Sequence, residues 1–229
     1  MTIAFSNPAL AVASGVYRPQ EDSRLLVDTM SATGVARGQR VADLCTGSGI
    51  VAVNAALQGA GSVTGFDVSP AAVRCARANA AQAGVGVEVH LGSWARAMEF
   101  GPFDVVLSNP PYVPHDPAVA DADIPPAYGM PVAWDAGPDG RSVLDPLCEI
   151  AGDLLADRGT LMVVHSEFAR LDRTVDMLRR AGLNAEIVAE QWVPFGPVLA
   201  ARAAWLERIG LLEPGRRTER LGVVRAQKT

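Results

Sequence analysis

The sequence predicts an α/β protein: a doubly wound, mostly parallel sheet of seven strands with helices on both faces. Three observations carry this. Short apolar runs alternate with helix-period segments along most of the 229 residues. A glycine-rich turn joins the first such run to the first helix of the alternation. The chain is 49% apolar and 20% charged, the composition of an ordinary globular protein. Its length suits one domain over residues 1–229, with an N-terminal segment (1–37), a proline-rich loop (109–141) and a helical insert (about 197–212).

The elements follow in order. Arg40–Cys45 reads as a buried strand and Ile50–Gly59 as the helix leaving the turn. Ser62–Asp67 is the second strand and Pro70–Ala83 the second helix, with Ser69 as N-cap, Pro70 in the first turn and Gly84 as stop. Val85–Leu91 and Phe103–Ser108 are the third and fourth strands. A helix over Ser142–Ala156 leads to a fifth strand, Gly159–His165. Leu171, Val175 and Leu178 recur at helical spacing. Leu183–Trp192 and Leu221–Ala226 read as the last strands, around a helical stretch near Val198–Leu211. Asn109–Arg141 breaks the rhythm: it holds eight of the 16 prolines and no periodic element. A loop that long inside a compact domain is usually functional.

Composition narrows the function. A formal charge of −5, with Lys228 the only lysine, argues against a globally basic nucleic-acid binder. No apolar run reaches membrane-spanning length, so no membrane role is expected. Residues Met1–Ala13 lack the basic start of a signal peptide. Cys45, Cys75 and Cys148 are odd in number and widely spaced, which predicts neither disulfides nor a metal site and fits a reducing cytoplasm.

Three motifs fall at strand ends, where an open α/β sheet binds its ligand. DLCTGSG (Asp43–Gly49) puts Gly47 and Gly49 in a tight turn that lets backbone approach a ligand, without the third glycine of a dinucleotide fingerprint. Asp67 ends the second strand, 24 positions after Asp43. It can start the next helix or accept both hydroxyls of a ribose, and the glycine turn favours the ribose. NPPY (Asn109–Tyr112) follows the fourth strand. Its prolines fix an extended path. Asn109 and the Pro110 carbonyl can accept both hydrogens of a planar NH2 group, and Tyr112 can stack on it.

Together these motifs resemble class I S-adenosylmethionine-dependent methyltransferases of the HemK type, which methylate glutamine in polypeptide release factors. The resemblance spans roughly Gly15–Trp192. It includes VYRPQEDS (Val16–Ser23), similar to the short archaeal and eukaryotic branch, and the Gly137-x-x-Gly140-Arg141 segment. It implies a Rossmann-like sheet whose last strand runs antiparallel. It also implies S-adenosylmethionine as cofactor and N-methylation of an amide or amino nitrogen, N5 of a protein glutamine first. Ser23 and Asp43 are then expected near the methionine moiety and Asp67 at the ribose. Cys45, Gly47, Gly49, Val68 and Asn109 complete the cofactor set. Two positions depart from the family. Cys45 replaces a glycine, where a small thiol is expected to change little. Ser93 replaces the aspartate at the adenine amino group, with Trp94 adding ring packing.

Catalysis is expected of Asn109, Pro110 and Tyr112, and substrate contact of Pro111, Tyr112, Tyr17, Glu21 and Arg141. Arg141 has the alternative of pinning the loop, and Glu21 with Asp22 that of an ordinary helix start. His115 is a substrate candidate from its place in the loop. Packing is expected of Trp134, Trp192 and Trp205. Partners implied are a release factor and a small activator protein. Lysine is a further possible acceptor. The competing functions are an adenine N6 or cytosine N4 methyltransferase on RNA or DNA, a silent cofactor-binding subunit, and an NAD-dependent dehydrogenase. The only dense basic cluster, Arg216, Arg217 and Arg220, reads as a solvated face.

Overall fold

A computed structural model describes residues 10–115 and 129–229. The parts of the N-terminal segment and of the proline-rich loop that fall on 1–9 and 116–128 lie outside the described residues. Seven strands form one sheet: β1 (Arg40–Leu44), β2 (Ser62–Asp67), β3 (Glu88–Leu91), β4 (Phe103–Ser108), β5 (Leu155–Ser166), β6 (Asn184–Pro194) and β7 (Thr218–Gln227). The spatial order is β3-β2-β1-β4-β5-β7-β6. Strands β3 to β5 are parallel neighbours, and β7 runs antiparallel to both β5 and β6, as expected for the last strand.

Alternation along each strand builds the two layers. Val105 and Leu107 join one apolar cluster with α1 (Glu21–Thr33) and α2 (Ile50–Leu57), while Val106 between them joins the opposite one. That opposite cluster takes α5 (Leu144–Leu154) and α6 (Leu171–Arg180). Helix α3 (Pro70–Gln82) covers β2 and β3, its N-cap Ser69 accepting from Ala72 N–H and Gly84 ending it at φ +68°. Strand order reverses between β1 and β4, so Asp43–Gly49 and Asn109–Tyr112 emerge side by side.

Several boundaries differ from expectation. Helix α1 begins at Glu21, the helix start left open for Glu21 and Asp22, and the short α4 (Trp94–Ala97) is an additional element. Strand β3 starts at Glu88 instead of Val85, because Val85 N–H still closes the helix end on Ala80 O. Helix α5 stops at Leu154, and Leu155 already pairs with Phe103, so β5 begins four residues early through a register shift. The helical insert is α7 (Pro197–Arg208).

Candidate active site

The turn after β1 is built around a buried carboxylate. Asp43 is 1% exposed, and its Oδ2 accepts from Thr46 Oγ1 at 2.6 Å and from Ala52 N–H at 3.1 Å. Burial, opposed by those two bonds, pushes its pKa up to about 7. Cys45, Gly47 and Gly49 all have positive φ, at 59°, 54° and 83°. A Cβ on Gly49 would stand 3.0 Å from Ala76, so this glycine lets α2 and α3 approach. A Cβ on Gly47 would meet only Cys45 O, at 3.9 Å, and would intrude on the open space the turn borders. Gly47 N–H donates to Asp67 Oδ2 at 2.9 Å, and Ser69 N–H to Asp67 Oδ1 at 2.8 Å. Burial nonetheless holds the Asp67 carboxyl above its ordinary range.

Two cavities meet at the strand ends. The larger encloses about 1090 Å³ and is bordered by Ser23, Cys45, Gly47, Asp67, Val68, Ser93, Trp94 and Asn109, all expected of a cofactor site. Asp43 and Gly49, expected in the same set, do not border it. Asp43 sits behind the turn and holds its shape, and Gly49 is spent on helix packing. Ser93 caps α4, accepting from Ala95 N–H at 3.3 Å, and borders the same space.

The smaller cavity, about 640 Å³, is bordered by Asn109, Pro110, Pro111 and Tyr112 with Tyr17 and Glu21. Asn109, Pro111, Tyr17 and Ala133 border both cavities, so the proline corner is their shared wall. Asn109 Nδ2 donates to Ser23 Oγ at 3.1 Å, and that hydroxyl in turn donates to Asp22 Oδ1. With its NH2 group so held, the side chain offers Oδ1 as an acceptor.

Asp22 ties the arrangement together. Its Oδ1 takes Ser23 N–H at 2.6 Å, and its Oδ2 takes the hydroxyls of Tyr17 and Tyr112, each at 3.0 Å. Burial and the Asp22 charge raise both tyrosine pKa values well above the ordinary range. Sequence reasoning left Asp22 as a helix-start residue. The available signal was its place inside VYRPQEDS. Glu219, on β7 at the rim of the smaller cavity, was missed entirely, since a glutamate at a strand end carries no signal.

Arg141 was expected either to contact substrate or to pin the loop. It is 2% exposed and borders neither cavity. Its Nε donates to Asp145 Oδ1 at 2.7 Å and its Nη1 to Thr174 Oγ1 at 2.7 Å and to Ala169 O. It pins the loop to α5 and α6, the alternative its sequence position left open. His115 also borders neither cavity, its Nδ1 lying 2.6 Å from Asp135 Oδ2. Trp134 is core as expected, whereas Trp192 is 58% exposed on β6 with the Arg216 guanidinium over its ring. Arg216, Arg217 and Arg220 pair with Glu167, Glu207 and Glu190, so the basic cluster is locally neutralised. Helix α7 walls the smaller cavity with Val198 and Leu199, and its Arg202 donates to Pro114 O and lies over the Trp134 ring.

Residues 12–123 match the methyltransferase small domain family. A release factor glutamine methyltransferase of Mycolicibacterium smegmatis is 35% identical over 198 residues, covering 82% of this chain and 67% of the relative. A Methanocaldococcus jannaschii protein, named as a candidate protein N5-glutamine methyltransferase, is 29% identical over 89% of this chain and 98% of its own. Among solved structures, the E. cuniculi Mtq2–Trm112 complex, described as methylating the termination factor eRF1, aligns with TM-score 0.63 and 20% identity, covering 94% of this chain and 99% of its own. The T. thermophilus 16S rRNA methyltransferase RsmC with AdoMet and guanosine aligns at 0.58 with 18% identity, over 93% of this chain and 44% of its own. At such identities the structural likeness speaks for the fold.

Proposed function

Since the chain belongs to the release factor glutamine methyltransferase family, we propose that it methylates the side-chain amide nitrogen of a protein glutamine, a release factor first, using S-adenosylmethionine. The observation that carries this is Asn109 on the wall between the two cavities, its Nδ2 engaged by Ser23 and its Oδ1 left to accept.

The larger cavity fits the cofactor. Asp67 has two N–H donors and lone pairs to spare for ribose hydroxyls. Gly47 provides a cradle that a Cβ would invade. Val68 and Trp94 offer apolar surface to a purine, with the Ser93 hydroxyl as the polar contact in place of the usual aspartate. Ser23 stands at the end nearest Asn109. When bound, S-adenosylmethionine supplies a methyl carbon already activated by a sulfonium, so the protein's task is orientation and electrostatics.

An amide nitrogen is a poor nucleophile because its lone pair is delocalised into the carbonyl. Accepting both N–H bonds at Asn109 Oδ1 and Pro110 O makes it more electron-rich as the new bond forms. Tyr112, fixed by Asp22, stacks on the amide plane and limits its rotation. The arginines of the basic cluster are paired with carboxylates, and the smaller cavity is bordered by Glu21, Asp22 and Glu219, which favours a protein acceptor over a nucleic acid. The Mtq2–Trm112 complex supports a small activator as a partner, tested by co-purification.

Asn109→Ala is expected to retain S-adenosylmethionine binding by calorimetry while turnover falls by much more, about 10²-fold or more. Equal loss of binding and turnover would contradict the assigned role.

A further inference from the structure

We propose that Asn79 is a positioning residue for cofactor retention: it fastens residues 10–19, a strap that forms part of the larger cavity's wall, to the glycine turn. The inference rests on the cofactor proposed above and adds the residue that governs its release.

The strap precedes α1 and belongs to no helix or strand. Gly15, Val16, Tyr17 and Pro19 border the larger cavity. Of residues 11–20 only Val16 is buried, against Ala72 and Cys75 of α3. A segment with so little buried apolar surface opens locally with little free energy, so a few polar contacts decide how long it stays in place.

Asn79 supplies such contacts. It is 1% exposed, and its amide meets Ala11 as a neighbouring strand would: Oδ1 accepts from Ala11 N–H at 3.1 Å and Nδ2 donates to Ala11 O at 2.8 Å. Nδ2 also donates to Ser48 O, at 2.8 Å. Both amide hydrogens are then engaged, one by the strap and one by the turn, which borders the same cavity. Further along, the strap meets the returning limb of the proline-rich loop. Met130 N–H donates to Gly15 O at 3.2 Å. Gly129, at φ +97°, lies so close that a Cβ there would stand 3.1 Å from Tyr17 N. Val132 and Ala133 of that limb border the larger cavity. Turn, strap and loop limb are thus joined in one wall, fastened at Ala11 and at Gly15.

The test is release of tritiated S-adenosylhomocysteine from the purified full chain, chased by unlabelled excess. Asn79→Ala should speed release about 10-fold. Ala11→Pro removes the N–H that Asn79 accepts but leaves the bond from Asn79 to Ser48, and should also speed release. Gly129→Ala crowds the other fastening and should act in the same direction. Asn79→Ala combined with Gly129→Ala should fall short of the product of the two single effects, because both free one strap. A merely structural Asn79 would instead lower the melting temperature and the binding stoichiometry while the remaining sites release at the wild-type rate; that result overturns the inference. Fast release in Asn79→Ala, with wild-type rates in Ala11→Pro and Gly129→Ala, overturns it too, since the effect would then lie in the glycine turn. Strap-dependent release without methyl transfer to glutamine sinks the proposed function and leaves the strap standing. Methyl transfer to glutamine with equal release rates in every protein does the reverse. No binding of S-adenosylhomocysteine by wild type overturns both.

Discussion

Cys45 shows how one backbone angle outweighs side-chain size. A small thiol was expected to substitute for glycine at little cost, but φ is 59° there, a region that costs an L-residue about 1–2 kcal/mol. Returning glycine loosens the unfolded chain by about 0.4–1 kcal/mol, which offsets part of the gain. Cys45→Gly should therefore raise stability by roughly 0.5 kcal/mol in urea denaturation, and a loss of stability would contradict the strain. The local motifs were legible because each packs its chemistry into a few consecutive residues: the Gly47 turn, Asp67 at a strand end, the Asn109 corner. Asp22 was not, because its partner Tyr112 is 90 positions away and no local pattern announces the pairing. For Arg141 the sequence left substrate contact and pinning of the loop open, and its partners Thr174 on α6 and Asp145 on α5 show the pinning.

At the scale of elements, periodicity located all seven strands, since β-strands with both faces covered read as compact apolar runs. Of helix α1 only the start at Glu21 and Asp22 was legible, because its buried face, Leu26, Val27 and Met30, is narrow and interleaved with Asp28 and Thr29. The length of β5 escaped because Ala156–Gly159 carries Asp157 and Arg158, which look like a turn. The described ends of the proline-rich loop are held by anchors from several elements. Val113 bridges Asp135, α7 clamps Pro114 through Arg202, and Arg141 fastens the end of the loop to α5 and α6. Arg141→Met removes one side of a buried ion pair and leaves Asp145 with only Arg173. It should lower stability by about 3 kcal/mol. Substrate KM per folded molecule should hardly change at a temperature well below melting. A raised KM with unaltered stability would restore the direct substrate role.

For the whole molecule, two buried acids set the pH response of stability. Asp43 and Glu219 both have folded pKa values of about 7, above the ordinary carboxyl range. Between about pH 4 and 7 each of these acids binds a proton in the folded chain that it lacks when unfolded, so together they lower stability as pH rises. Buried His165, its pKa lowered to about 3, opposes them by one proton below about pH 6.5. Thermal melts from pH 5 to 8 should show this decline, with Asp43→Asn and Glu219→Gln each flattening it. A slope that neither substitution alters would contradict the burial of these charges. The sheet order explains why the chemistry converges: β1 and β4 are neighbours at the reversal, so the glycine turn and the proline corner face one another across Ser23.

The most direct measurement is transfer of labelled methyl from S-adenosylmethionine into a cell lysate by wild type and by Asn109→Ala, with nuclease and protease arms and mass spectrometry of the labelled residue. The account predicts protease-sensitive, nuclease-resistant label on a glutamine side-chain nitrogen, lost with Asn109→Ala. Label residing in RNA or DNA, or undiminished in the variant, would contradict it.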